Sequence, residues 1–87
     1  MRIIITGQEG FIGYHLYNSL KYRYPKLKLI DFKKTFFEDE NLIDKAFIKS
    51  DIIIHLAGVN RSEDQDYLYS ENIKLGQKII NSFKRID

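Results

Sequence analysis

The sequence predicts an α/β fold, a three-stranded parallel sheet in the order β-α-β-α-β-α with helices flanking it. Three observations predict it. Ile3–Ile5 and Ile52–Ile54 are continuous isoleucine runs without polar alternation, the pattern of strands covered on both faces. Apolar residues between and after them recur at helical spacing. Finally, 87 residues with one proline and no cysteine leave room for a single small core. The missing cysteines exclude a disulfide framework, a thiolate metal site and a cysteine nucleophile, and suit a reducing cytoplasm. Apolar runs are too short for a signal peptide or a membrane span. Fourteen basic against twelve acidic residues leave a net charge of +2, too little to imply a polyanion partner.

Taken in order, Arg2–Thr6 is the first strand. A helix then runs from about Gly10 to Arg23, with Ile12, Leu16 and Leu20 forming its apolar stripe. Pro25 ends it, because the residue before a proline is biased to extended geometry. Lys26–Asp31 reads as the second strand. Thr35, Phe36 and Phe37 are strand-like but too few to assign. Leu42, Ile43, Ala46 and Phe47 form a second helical stripe with Asp39 as its N-cap. Asp51–Leu56 reads as a third, buried strand. After a polar loop, Leu68, Leu75, Ile79 and Phe83 mark a last helix. Strands alternating with helices imply a parallel sheet with right-handed crossovers.

The strongest chemical signal is Thr6-Gly7-Gln8-Glu9-Gly10-Phe11-Ile12-Gly13, set between a buried strand and an amphipathic helix. In such a GxxGxxG turn the first glycine permits the tight exit from the strand. The second lets a pyrophosphate approach the backbone, and the third lets the helix lie close to the sheet. The helix N-terminus offers free N–H groups and partial positive charge to the phosphates. Phe11 and Ile12 are expected to pack the helix on the sheet. Asp31, eighteen residues past Gly13, is placed at a strand end where a carboxylate binds ribose hydroxyls. Together these read as a partial Rossmann fold that binds a dinucleotide.

TGQEGFIG followed by YHL resembles the TGxxGFIG-x-HL signature of the extended short-chain dehydrogenase/reductases, the NAD-dependent epimerases and dehydratases that act mostly on nucleotide-linked sugars. Ile54-His55-Leu56-Ala57-Gly58 is similar to the H-x-A-[AG] segment after that family's fourth strand. Glu71-Asn72-Ile73 stands where the family has N-[VI]. The resemblance spans nearly the whole chain. It implies that residues 1–87 are the N-terminal part of an NAD(P)-binding domain. It also implies that Gly7, Gln8, Glu9, Gly10, Phe11, Ile12, Gly13, Asp31, Lys33, Leu56, Ala57, Gly58 and Asn60 bind the cofactor. HLAGVNR further resembles the reductases of capsular polysaccharide synthesis, which reduce C4 of a UDP-linked N-acetylated 4-keto-6-deoxyhexose with NADPH.

The choice of cofactor is open in the residues. Asp31 favours NAD, since a carboxylate repels a 2′-phosphate. Lys33 and Lys34 favour NADP, since either can neutralise that phosphate. The narrower resemblance tips the expectation to NADP(H), with NAD as the alternative.

The family's catalytic Tyr-x-x-x-Lys pair lies beyond a fifth strand. Tyr17/Lys21, Tyr22/Lys26 and Tyr24/Lys28 share its spacing but precede the second strand or enter it, and Pro25 interrupts the last two. The catalytic serine has no counterpart either, so no residue of this chain is expected to be catalytic. His15 and His55 fall on structural positions of the signature. Glu63, Asp64 and Asp66 read as a solvated loop and helix-start charge rather than a metal site. Lys21, Arg23, Lys26 and Lys28, interleaved with Tyr22 and Tyr24, are weighed as a nucleic-acid patch and set aside on net charge.

Two functions follow. The chain is the dinucleotide-holding portion of a cytoplasmic nucleotide-sugar reductase or epimerase of capsule or O-antigen synthesis. Alternatively, it is a stand-alone nucleotide-binding or sensory module without chemistry. An unpaired edge on the third strand, or apolar helix faces left uncovered, is expected to make the chain self-associate.

Overall fold

A computed structural model describes residues 1–58 and 63–86. Strand β1 (Arg2–Thr6) is followed by helix α1 (Phe11–Arg23), strand β2 (Lys28–Ile30), a 3-10 helix (Lys34–Glu38), helix α2 (Glu40–Ile48), strand β3 (Ile52–His55) and helix α3 (Gln65–Ile86). The sheet order is β2-β1-β3 and both pairings are parallel. The α/β class, the three parallel strands and the alternation with helices are therefore as the sequence predicts.

Register follows the isoleucine pattern. Ile4 pairs with Ile30 and Ile53, while Ile3 pairs with Leu29 and Ile52. Successive side chains of a strand point to opposite faces, so these sets line the two sides of the sheet. Ile4 joins Phe32, Phe37, Ile43, Ala46, Phe47 and Ile79 in the core, with Ile30, Ile53, Leu75 and Ile86 packed against it. Phe32 is its centre: its ring meets Phe36, Phe37 and Phe47 at centroid distances of 5.1, 5.2 and 5.7 Å. Ile3 and Ile5 are buried on the opposite side, where α1 lies against β1.

Several sequence expectations change, and β2 (Lys28–Ile30) is shorter than the expected Lys26–Asp31. Phe11 and Ile12 do not pack α1 on the sheet; they are 80% and 67% exposed. Gly13, Leu16, Tyr17 and Leu20 are the less accessible positions of α1. At about 100° per residue Phe11 falls opposite that face and Ile12 at its margin, and Phe11 instead meets the His15 ring edge-on at 4.6 Å. Thr35–Phe37, unassigned from the sequence, form part of the 3-10 helix, and turning there sends Phe37 into the core beside Phe32. β3 is shorter than Asp51–Leu56 and only half-buried, with Ile52 and His55 exposed. It has a strand neighbour on one side alone among the described residues.

Helix α2, on the core side, is held by polar contacts at its N-terminus and at its middle. Asp39 caps α2 as expected, its side chain accepting from the Asn41 N–H at 2.9 Å. Asp44 on α2 accepts from Arg85 of α3 through Nε at 2.8 Å and Nη2 at 3.0 Å, and from the buried Ser82 hydroxyl. Arg85 first, then Ser82, hold the Asp44 carboxyl below its ordinary range. Asp51 serves the strand ends. Its carboxylate accepts from the Arg2 N–H at 2.7 Å, and its own N–H donates to the Arg2 carbonyl at 2.8 Å.

Candidate functional site

The C-terminal ends of all three strands meet the glycine-rich turn. Gly7 has φ +81°, a left-handed conformation that only glycine adopts freely. A Cβ there would also lie 2.7 Å from the Ala57 backbone nitrogen of the segment after β3. At Gly13 a Cβ would lie 1.9 Å from the Gly7 carbonyl oxygen. The start of α1 is thus pressed onto the turn at backbone contact, which is the close helix–sheet approach that the third glycine permits.

Gly10 differs from both. Its N–H closes the turn on the Gly7 carbonyl at 3.0 Å, and its own carbonyl accepts from Tyr14 at 2.8 Å. It is the N-cap of α1, extended at φ −84° and ψ 170°, with no side-chain cap and no acidic residue in the first turn. A Cβ at Gly10 would meet one atom within 4 Å, the Gly7 oxygen at 3.4 Å. The space over Gly10 is open, and the first N–H groups of α1 have no intrahelical acceptor. This bare, uncapped, positively polarised helix start fits an anionic group such as a pyrophosphate.

Beside the turn is a cavity of about 340 Å³ lined by Gln8, Glu9, Asp31, Phe32, Lys33, Lys34 and Thr35. Gln8 Nε2 donates to the Ile30 carbonyl at 3.2 Å, and Glu9 Oε1 accepts from the Lys34 N–H at 2.7 Å. Asp31, Lys33 and Lys34 are exposed at its mouth, whereas Phe32 is buried beneath. The turn and the end of β2 therefore share one concave surface with carboxylates and ammonium groups at its rim.

The third wall is organised by Thr6, which the sequence reading passed over as the first letter of a motif. Thr6 is fully buried. Its Oγ1 accepts from the N–H groups of Leu56 (3.1 Å) and Ala57 (3.2 Å) and lies 2.6 Å from His55 Nδ1. With both lone pairs engaged, the hydroxyl proton goes to Nδ1, which places the imidazole proton on Nε2. Partial burial pushes the His55 pKa below its ordinary value, in keeping with this neutral ring. The register pair Thr6–His55 was the available signal, since a polar pair that ends two isoleucine strands must satisfy itself.

The expected residues divide accordingly. Gly7, Gln8, Glu9, Gly10 and Gly13 form the turn; Asp31 and Lys33 join the cavity; Leu56 and Ala57 follow β3 beside Gly7, and Gly58 after them faces the Asn72 side chain. Phe11 and Ile12 stand at the start of α1 with exposed side chains, so their place in the site is their backbone. Asn60 lies outside the described residues. The Tyr-x-x-x-Lys spacings are elsewhere: Tyr17/Lys21 is on α1, and Tyr22, Tyr24, Lys26 and Lys28 surround its C-terminal end; none of these lines the cavity.

The profile of the NAD-dependent epimerase/dehydratase family matches residues 3–87. The chain belongs to that family. Membership implies a nicotinamide nucleotide cofactor, which the open cradle over Gly10 fits. No curated protein and no solved structure matches the chain. Among the described residues, no helix is long and apolar enough to cross a membrane.

Proposed function

We propose that this epimerase/dehydratase-family chain is the dinucleotide-holding part of a cytoplasmic nucleotide-sugar reductase or epimerase in capsule or O-antigen synthesis. The observation that carries the proposal is the bare helix start at Gly10 directly after Gln8 and Glu9, which line the cavity that reaches Asp31 and Lys33. The N–H groups at the start of α1 hold the pyrophosphate, Asp31 takes the adenosine ribose, and Lys33 neutralises a 2′-phosphate. NADP(H) is the proposed cofactor, with NAD as the alternative. When bound, the nicotinamide supplies hydride transfer; this chain's residues bind and orient its other end.

No catalytic residue is proposed among these 87 residues, since the three Tyr/Lys pairs stand away from the cavity. A nucleotide-linked sugar is the proposed partner of the reaction, and the HLAGVNR string supports a capsular 4-keto sugar. We further propose that the chain self-associates through the outer edge of β3 or the exposed apolar residues of its helices. Titration calorimetry with NADPH, NADH and UDP-sugars tests the reading. Binding of a dinucleotide without turnover of a UDP-sugar agrees with it; turnover by this chain overturns the absence of a catalytic pair.

A further inference from the structure

We propose that Glu9 is a positioning residue that latches the β2 side of the cofactor cavity by capping the 3-10 helix across it. The inference rests on the cavity being the adenosine end of a dinucleotide site.

The glycine-rich turn makes no demand on Glu9. Its backbone closes through Gly10 N–H to the Gly7 carbonyl, and residue types between the glycines are free. The 3-10 helix Lys34–Glu38, by contrast, needs an acceptor. Its N-cap, Lys33, has no side chain able to accept a hydrogen bond and makes no side-chain cap, and the first N–H groups of a helix are orphaned without one. Glu9 supplies the acceptor from 25 residues away, Oε1 to Lys34 N at 2.7 Å. A carboxylate on a backbone N–H is a charge-assisted bond, stronger than a neutral one.

Gln8 works beside it. Its Nε2 holds the Ile30 carbonyl at 3.2 Å. Two consecutive side chains of the turn thus grip the chain just before and just after Asp31–Lys33. Phe32, between them, is buried in the core. Asp31 and Lys33 therefore stand at a fixed distance from the start of α1 because the turn itself holds their backbone. Positions held this way recognise ribose and 2′-phosphate without ordering a loop at binding.

A double-mutant cycle tests the latch. Glu9→Ala removes the acceptor. Lys34→Pro removes the donor at the first helical position, where proline is tolerated, and Lys33 is already extended at φ −93° and ψ 151°, as a residue before proline requires. Affinity for NADPH and for NADH is measured by calorimetry, with Lys34→Ala as the reference for Lys34→Pro so that loss of the ammonium cancels. Each removal weakens binding of both cofactors roughly three- to tenfold, the size of one net hydrogen bond. The two together weaken it no further, and Glu9→Gln, which keeps an acceptor oxygen, recovers the affinity. Unchanged binding in Glu9→Ala, or effects that multiply in the double variant, overturns the latch. If Glu9→Ala fails to fold, Lys34→Pro against Lys34→Ala decides alone, and equal affinities reject the inference. A wild-type chain that binds neither dinucleotide overturns the cavity reading itself, and the latch falls with it.

Discussion

The three glycines of the turn do three different things, and substitution separates them. Gly13→Ala puts a methyl 1.9 Å from the Gly7 oxygen, an overlap with backbone that α1 can relieve only by lifting off the sheet. A loss of about 3 kcal/mol is expected in denaturant unfolding. Gly7→Ala combines a backbone clash with a left-handed φ and is expected to be at least as costly. Gly10→Ala meets one atom at 3.4 Å and should change stability by about 1 kcal/mol or less, yet it fills the space proposed for the pyrophosphate. Thr6→Val leaves the Ala57 N–H without its acceptor and removes the contact with His55 Nδ1, while the Leu56 N–H keeps the Thr6 backbone carbonyl at 3.2 Å. A cost of about 1 kcal/mol or more is expected for that part-buried orphan, and the segment Leu56–Gly58 should show faster amide exchange.

At the scale of elements, pH separates two contacts. His55 accepts a hydrogen bond as a neutral ring, and its folded pKa lies below the ordinary 6.5. The unfolded chain therefore takes up the proton first. The stability that this pair contributes is complete above about pH 6.5 and is lost as pH falls from there toward the folded pKa. Asp44 works in a lower window. Arg85 and Ser82 depress its pKa below 3.8, so its contribution to the α2–α3 contact holds above that value and disappears as pH falls through the folded pKa. Unfolding midpoints from pH 8 to 2 should decline in two steps. His55→Asn should remove the upper step and Asp44→Asn the lower one.

Much of this level was legible in the sequence. β1 was readable to its ends, because three isoleucines between Arg2 and Gly7 admit no other register, and the Asp39 cap of α2 announced itself by chemistry. The turn after β2 was not, since Phe36 and Phe37 have strand residues' shapes and only the position of Phe32 in the core makes the chain coil there. Exposure of Phe11 and Ile12 was missed because Ile12 lies four residues from Leu16, and spacing alone does not say where the first turn of a helix meets the sheet. Within the candidate site, the glycines and Asp31 were legible as motif letters. The Thr6–His55 pair and the Glu9–Lys34 bond join residues far apart in sequence and become visible only through the register of the sheet.

For the molecule as a whole, neither outer edge of the three-stranded sheet is paired among the described residues. The β2 edge begins with Lys28, a charge that discourages pairing with another chain. The β3 edge carries Ile52, 41% exposed, and has no such guard. Ile73 and Ile80 of α3 are also about half exposed. The proposed self-association should appear in sedimentation as a mass that rises with concentration. Ile52→Lys should reduce it while leaving the unfolding midpoint nearly unchanged, because the side chain is already in contact with water. A mass independent of concentration in the wild-type chain contradicts the proposal.

In the proposed function, the bare start of α1 over Gly10 holds the pyrophosphate of a nicotinamide dinucleotide. Titration of NADPH and NADH into the wild-type chain and into Gly10→Ala, with circular dichroism to confirm that both are folded, tests it most directly. Binding by the wild type is expected, with at least a tenfold loss in a folded Gly10→Ala chain, about 1.4 kcal/mol or more of affinity. Equal binding by the two folded proteins, or no binding by the wild type, contradicts it.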